Sequence, residues 1–226
     1  MPGRDSKRSS RRAYGRLPRS TPPGRPTSGL FMPQGYEPGY DYPLLVWLSD
    51  AADPGFDLGR TMTRLSLRNF VAVQPTAAGT EDREEAVWSA IDGTQERASI
   101  HDRRIFLVGH GRGGTDAFRI ACRHADSFAG VISLGGPFPL DESLFAALDR
   151  VRRLPMLFCC RADVMMDAAP HTDRTLRLFH AAGATLAMRI YPGGNDLSRA
   201  ILGDVNRWLM DEICGPSAAL QSQCAP

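Results

Sequence analysis

Short apolar runs alternate along the chain with segments in which apolar residues recur every three or four positions. The apolar runs predict buried strands at 43–48, 70–73, 105–108, 128–134, 155–160 and 186–191. The segments with helical spacing lie between them, at about 58–67, 80–98, 113–124, 170–182 and 201–213. Such alternation implies parallel pairing through right-handed crossovers. It predicts a doubly wound, mostly parallel α/β sheet.

The densest glycine cluster follows the strand at 105–108. It reads Gly109-His110-Gly111-Arg112-Gly113 and leads directly into the helix at 113–124. A strand, a tight turn and a helix form the setting of the nucleophile elbow, whose pattern is G-x-S-x-G. The serine position of that pattern holds Gly111. The turn is therefore expected, but without the hydroxyl that would attack a substrate.

The order of these elements resembles the α/β-hydrolase family, and the small carboxylesterase, phospholipase and depolymerase-like branch is the most similar. The resemblance covers roughly residues 31–213 and rests on four segments: Tyr42-Pro43-Leu44-Leu45-Val46-Trp47-Leu48, the elbow at 109–113, Phe128-Ala129-Gly130-Val131-Ile132-Ser133 and Tyr191-Pro192-Gly193-Gly194-Asn195. It implies an α/β-hydrolase fold. The lid is expected to be minimal, because only about 20 residues separate the strands at 128–134 and 155–160.

The resemblance implies three catalytic positions: a serine on the elbow, an acid after a later strand, and a histidine after the last strand. Asp163 matches the acid position. Gly111 stands at the serine position and Asn195 at the histidine position. An amide has no useful basicity at neutral pH, so Asn195 cannot take a proton from a nucleophile. The resemblance therefore implies a hydrolase scaffold whose reaction has been lost.

The loop after the first long strand also departs from the family, which usually has a His-Gly-rich turn there. This chain has Ser49-Asp50-Ala51-Ala52 instead. Asp50 brings negative charge to a place that should stabilise negative charge, which leaves the backbone N–H of Arg112 as the remaining oxyanion donor. We expect Ser49, Asp50 and Arg112 to border the residual pocket. An ion pair between Arg112 and Asp163 is favoured over ligand binding by Arg112.

Three functions are compatible with these features. The favoured one is a catalytically inactive α/β-hydrolase-like protein with a binding or regulatory role, whose ligand would be a small acyl or carboxylate compound. The first alternative is an esterase or thioesterase that uses an unconventional nucleophile, for which Ser49 is the first candidate. The second alternative is an interaction protein that works through its basic N-terminal tail.

Charge is distributed unevenly along the 226 residues. The first 30 carry eight basic residues and one acid, so the net charge of +2 divides into about +7 for this segment and about −5 for the rest. Residues 1–29 are rich in Arg, Ser, Pro and Gly, which predicts a disordered tail. A solvated tail is favoured over one that contacts nucleic acid. The domain is expected to span 30–214, with a flexible C-terminal tail at 215–226.

Five cysteines show no C-x-x-C spacing, and His101, His124 and Asp126 match no metal-binding pattern. Neither a metal ion nor another cofactor is therefore expected. Cys122, Cys159 and Cys160 fall in segments predicted as core, where small buried thiols in a reducing compartment are favoured over a redox role, and this favours a cytoplasmic location. No run approaches the roughly 18 apolar residues of a membrane span. No pattern in the chain predicts an oligomeric state.

Overall fold

A computed structural model describes residues 29–50, 55–76, 82–137, 148–163, 176–177, 179–181, 183–194 and 196–215. The helix predicted over 170–182 lies largely outside these residues, as do the tails at 1–28 and 216–226. No helix of the described part is both long enough and apolar enough to cross a membrane.

Seven described strands form one sheet in the order β1-β3-β2-β4-β5-β6-β7. They are β1 Gly29–Phe31, β2 Tyr42–Leu48, β3 Val71–Gln74, β4 Ile100–His110, β5 Gly130–Leu134, β6 Met156–Arg161 and β7 Leu186–Tyr191. The helices are α1 Leu58–Leu65, α2 Arg83–Gln95, α3 Arg112–Arg123, α4 Leu148–Val151 and α5 Arg199–Cys214. All neighbouring strands pair in parallel except β1 and β3, which are antiparallel. The predicted α/β sheet is confirmed.

Apolar side chains cover both faces of the sheet. Every residue of β2 is buried, as expected for a central parallel strand covered by helices on both sides. Leu44 and Val46 pack with α2 and α3 on one face, whereas Leu45 and Trp47 pack with α1 and α5 on the other. Burying each such side chain contributes about 1.5–3 kcal/mol. The two cores together fix the position of the strand ends.

Some elements differ from the sequence-based prediction. β1 was not predicted, because a three-residue edge strand has no recognisable period. β4 begins five residues before the apolar run, in a polar segment whose middle residues are exposed. The N-cap of α2 is Asp82, whose Oδ1 accepts a 3.0 Å hydrogen bond from the backbone N–H of Glu84. The predicted cap, Thr80, lies outside the described residues.

The parallel strands all end at one edge of the sheet, which brings separate loops together. The segments after β2, β4, β5, β6 and β7 begin with Ser49, Gly111, Gly135, Ala162 and Pro192, respectively. In open α/β sheets, this carboxyl edge is where ligands bind. The predicted site residues that the structure describes therefore belong to one end of the molecule.

Candidate functional site

The turn between β4 and α3 has the tight geometry that the sequence predicts. Gly111 adopts φ 57° and ψ −131°, a backbone conformation that favours glycine. Its N–H donates to the carbonyl oxygen of Leu134 at 2.9 Å, and its own carbonyl oxygen accepts from the N–H of Gly114 at 2.9 Å. These two bonds fix the elbow, residues 109–113, between β5 and the first turn of α3.

Close backbone packing explains the other glycines of the elbow. A Cβ atom on Gly113 would collide with the carbonyl oxygen of Leu48, at the end of β2. A Cβ atom on Gly109 would collide with the backbone of Gly113. The elbow therefore lies directly against β2, and this contact brings the residues after Leu48 close to Gly111.

Asp50 lies beside the elbow, in contact with the point from which a side chain at position 111 would extend. A Cβ atom on Gly111 would lie 3.2 Å from Oδ2 of Asp50 and 3.3 Å from its Cβ. The same Oδ2 accepts a hydrogen bond of 3.3 Å from the backbone N–H of Arg112. That N–H is the donor expected to stabilise an oxyanion. A carboxylate of the protein itself thus occupies this donor.

Ser49 is oriented away from the elbow by its own hydrogen bonds. Its Oγ accepts from Nε2 of Gln74 at 3.1 Å, and its carbonyl oxygen accepts from Nη1 of Arg83 at 3.2 Å. Arg83 also pairs with Asp116 of α3, with 2.8 Å between Nη1 and Oδ2. The hydroxyl proposed as an alternative nucleophile is therefore engaged at the end of β3, while Arg83 connects this loop to α3.

Asp163, at the predicted acid position, pairs with an arginine that the sequence prediction missed. Nε of Arg161 donates to Oδ1 of Asp163 at 3.0 Å, and Nη2 of Arg161 donates to Oδ2. The hydrogen bond to Asp163 and its charge raise the pKa of Arg161. The ion pair observed for Asp163 is thus with the last residue of β6, whereas the sequence favoured Arg112. The signal was present in the adjacent charges of Arg161 and Asp163.

Asn195, at the predicted histidine position, lies outside the described residues, but the next residue contributes a carboxylate. Oδ2 of Asp196 lies 3.9 Å from Nε2 of His110, and both side chains are about four-fifths buried. The Asp196 carboxylate also packs against Gly135, where a Cβ atom would collide with it. His110 therefore interacts with the loop between β7 and α5. No periodic signal in the sequence indicates this long-range contact.

The buried thiols of Cys122, Cys159 and Cys160 are poor nucleophiles. Burial raises the pKa of the Cys122 thiol to about 12, and that of the Cys159 thiol to about 12. Burial and the charge of Asp196 also raise the pKa of Cys160. Thiols of this kind are inert at neutral pH, because the thiolate is the reactive form. Within the described ranges, no three His, Cys, Asp or Glu side chains are arranged to hold a metal ion.

Comparison with known proteins identifies the fold. No protein-family model matches the sequence, and no curated protein sequence matches it. Among solved structures, the S-formylglutathione hydrolase of Staphylococcus aureus is similar over 81% of this chain and 91% of its own, with 12% identity and a TM-score of 0.59. A ferulic acid esterase has the same coverage, with 16% identity and a TM-score of 0.63. The Bacillus cereus carboxylesterase matches 82% of this chain and 94% of its own, with 11% identity and a TM-score of 0.60. The chain has the α/β-hydrolase fold of these esterases.

Proposed function

We propose that this protein is a catalytically inactive α/β-hydrolase-like protein that acts as a binding or regulatory module through the site around its elbow. The observation that carries the proposal is the position of Asp50. Its carboxylate accepts from the backbone N–H of Arg112 and lies beside Gly111, which has no side chain to attack a substrate.

Electrostatics explains why this arrangement opposes ester hydrolysis. Acyl transfer passes through an oxyanion, and one donor in an oxyanion hole contributes about 2.7–4 kcal/mol to the rate. A second negative charge about 4 Å away costs about 4 kcal/mol at an effective dielectric constant of 20. The Asp50 carboxylate would therefore cancel what the Arg112 N–H contributes. Loss of the nucleophile and loss of transition-state stabilisation act in the same direction.

The proposed ligand is a small acyl or carboxylate compound. Support comes from the fold, because the structural neighbours named above are esterases and an S-formylglutathione hydrolase. Thermal unfolding in the presence of short-chain carboxylates, esters and lipids tests this assignment. We expect one of these classes to raise the Tm in a saturable manner. A Tm that is unchanged across all three classes would remove the ligand-binding part of the proposal.

A specific observation also supports a second candidate, an esterase with an unconventional catalytic group. The Asp50 carboxylate lies beside the point where the side chain of an elbow nucleophile would begin, and a carboxylate can activate a water molecule as a general base. The second candidate requires a charged Asp50 carboxylate as the general base, whereas the favoured proposal involves no catalysed reaction. Asp50→Asn removes the charge and preserves the shape, so it separates the two.

The test is the rate of hydrolysis of p-nitrophenyl acetate and p-nitrophenyl butyrate by the purified protein. We expect the wild type and Asp50→Asn to be no faster than buffer. Hydrolysis by the wild type that disappears in Asp50→Asn would replace the proposal with the second candidate. Hydrolysis that is equal in both proteins would contradict both assignments and place the reaction elsewhere.

A further inference from the structure

The N-terminal tail, residues 1–28, joins the domain at the carboxyl edge of the sheet. β1 begins at Gly29, which pairs with Gln74 at the end of β3. Nε2 of Gln74 donates to Oγ of Ser49, the residue before Asp50, at 3.1 Å. Since β1, β3 and β2 are neighbours, Gly29 lies two strand spacings, or about 10 Å, from the end of β2. The tail therefore leaves the domain next to the candidate site.

Charge complementarity favours contact between the tail and this edge. The first 30 residues carry about +7 and the rest of the chain about −5. The exposed Asp57 caps α1, whose first side chain lies 3.9 Å from a Cβ atom built on Gly29. Asp50 follows β2 at the same edge, where the charge of Arg83 is already compensated by Asp116 at 2.8 Å. The basic tail thus enters the domain near two carboxylates.

Arg25 is the tail arginine nearest to the domain, four residues before Gly29. Four residues of extended chain span at most about 14 Å, which is enough to reach the loop after β2. Because Pro26 follows Arg25, the sequence predicts extended backbone at this arginine. A carboxylate accepts several hydrogen bonds at once, and a guanidinium matches its geometry. Arg25 can therefore pair with Asp50 while the N–H of Arg112 keeps its bond to Asp50.

We propose that residues 19–28 dock in cis along the carboxyl edge of the sheet, with the guanidinium of Arg25 paired to the carboxylate of Asp50. A single exposed ion pair is weak, but covalent attachment gives the tail a high effective concentration at this edge. The docked segment covers the site around the elbow, so a ligand would have to displace it. This regulatory consequence rests on the proposed function, whereas the contact itself does not.

Trypsin cleavage of the full chain measures docking of the tail. The tail contains two Arg–Ser bonds: Arg8–Ser9 lies outside the docked segment, and Arg19–Ser20 lies at its start. The quantity compared is the initial rate at Arg19–Ser20 divided by that at Arg8–Ser9, measured by mass spectrometry at about 50 mM salt, where screening is weak. Each bond is compared with itself in other variants, so its intrinsic reactivity cancels.

We expect this ratio to rise between about 1.5-fold and fivefold in Asp50→Asn and in Arg25→Gln. Loss of one exposed ion pair changes the open population by such a factor, and cleavage follows that population. Combining the two substitutions should raise the ratio no further than either alone, because both remove the same pair. Asp126→Asn is the matched control, since it removes an exposed carboxylate elsewhere, and it should leave the ratio unchanged.

A ratio that is equal in the wild type, Asp50→Asn and Arg25→Gln would overturn the inference and leave the tail open to an external partner such as nucleic acid. Additive increases in the double variant would also overturn it, because the two residues would then act separately. If Asp50→Asn does not fold, Arg25→Gln, which changes only the tail, is examined by ¹⁵N NMR. The Arg112 amide signal should shift, and an unchanged signal overturns the inference. Ester hydrolysis by the wild type would instead overturn the proposed function, so the two failures are distinguishable.

Discussion

At the residue scale, Gly111 and Asp50 form one structural unit. Gly111 has a positive φ and faces Asp50 across a gap in which a Cβ atom would be tightly packed. A serine at position 111 would therefore lower the free energy of unfolding for two reasons. Its backbone would be strained at a positive φ, and its Cβ atom would be overpacked against Asp50. This coupling predicts that a serine at position 111 alone should not produce ester hydrolysis.

The first prediction separates these two effects. Gly111→Ala should lower the free energy of unfolding by about 2–4 kcal/mol, from the positive φ together with overpacking against Asp50. Gly35→Ala is the matched control, because Gly35 has φ 75° and no described atom within 4 Å of an added Cβ. Gly35→Ala should lower the free energy of unfolding, measured by urea denaturation, by about 1–2 kcal/mol. In an Asp50→Gly background, which removes both the carboxylate and the Cβ atom of residue 50, the additional loss at Gly111 should disappear. An unchanged additional loss would show that Asp50 is not its source.

The second prediction concerns the hydroxyl beneath the elbow. Ser133 is fully buried, and its Oγ has no hydrogen-bond partner among the described residues. Ser133→Ala should therefore leave stability unchanged or raise it by up to about 1 kcal/mol. Thr115→Val is the contrast, because Thr115 Oγ1 donates to the carbonyl oxygen of Pro137 at 2.6 Å. Thr115→Val should lower the free energy of unfolding by about 1 kcal/mol. A loss at Ser133 equal to that at Thr115 would reveal a bond that the structure does not show.

At the element scale, burial on both faces made most of the sheet predictable. Central strands such as β2 are continuous apolar runs, because helices cover both of their sides. β1 and the first residues of β4 were missed, since edge strands and exposed strand ends depend on pairing with a neighbour more than on local pattern. The glycine pattern predicted the elbow, because glycine is the residue that a positive φ and close backbone contact require.

The site was less predictable than the elements that carry it. The sequence identified Asp50 as a charge near the elbow but did not indicate that it hydrogen-bonds to Arg112. The pairs of Arg161 with Asp163 and of His110 with Asp196 were missed as well. Contacts between loops depend on how distant segments meet, and no local period encodes them. The roles assigned to Asp163 and Asn195 remain predictions.

The third prediction follows from the burial of cysteines within these elements. At pH 8, a pKa of about 12 leaves roughly one thiol in ten thousand ionised. Cys122 and Cys159 should therefore resist iodoacetamide in the native protein and react on unfolding, whereas Cys214 is exposed and should react at once. Peptide mapping by mass spectrometry measures each site. Rapid native labelling of Cys159 would show that β6 opens to solvent more readily than its burial implies.

At the scale of the whole molecule, stability should depend on pH through Glu212 in α5. Burial, and secondarily the charge of Asp211, raises the pKa of Glu212 above its ordinary value. The folded state therefore binds this proton more tightly than the unfolded state, and the glutamate destabilises the fold as pH rises through the folded-state pKa. Removing its charge should relieve that penalty.

The fourth prediction is that Glu212→Gln raises the Tm at pH 7, and that the gain shrinks as the pH falls through the folded-state pKa and is lost below about 4.5. Glu37→Gln serves as the control, because Glu37 is exposed, and it should leave the Tm unchanged. Calorimetry at pH 4, 5.5 and 7 gives the comparison. A gain in Tm that does not vary with pH would mean that the glutamate acts through packing rather than through its charge.

The chain has the tight turn of a nucleophile elbow, with Gly111 at the serine position and the Asp50 carboxylate beside it. The most direct measurement is the rate of p-nitrophenyl butyrate hydrolysis by three proteins: the wild type, the Gly111→Ser, Asn195→His double variant, and the triple variant that adds Asp50→Gly. We predict that the first two match buffer and that the triple variant exceeds it roughly tenfold or more. Turnover by the wild type would contradict the proposed loss of catalysis, and a double variant as active as the triple would contradict the role given to Asp50.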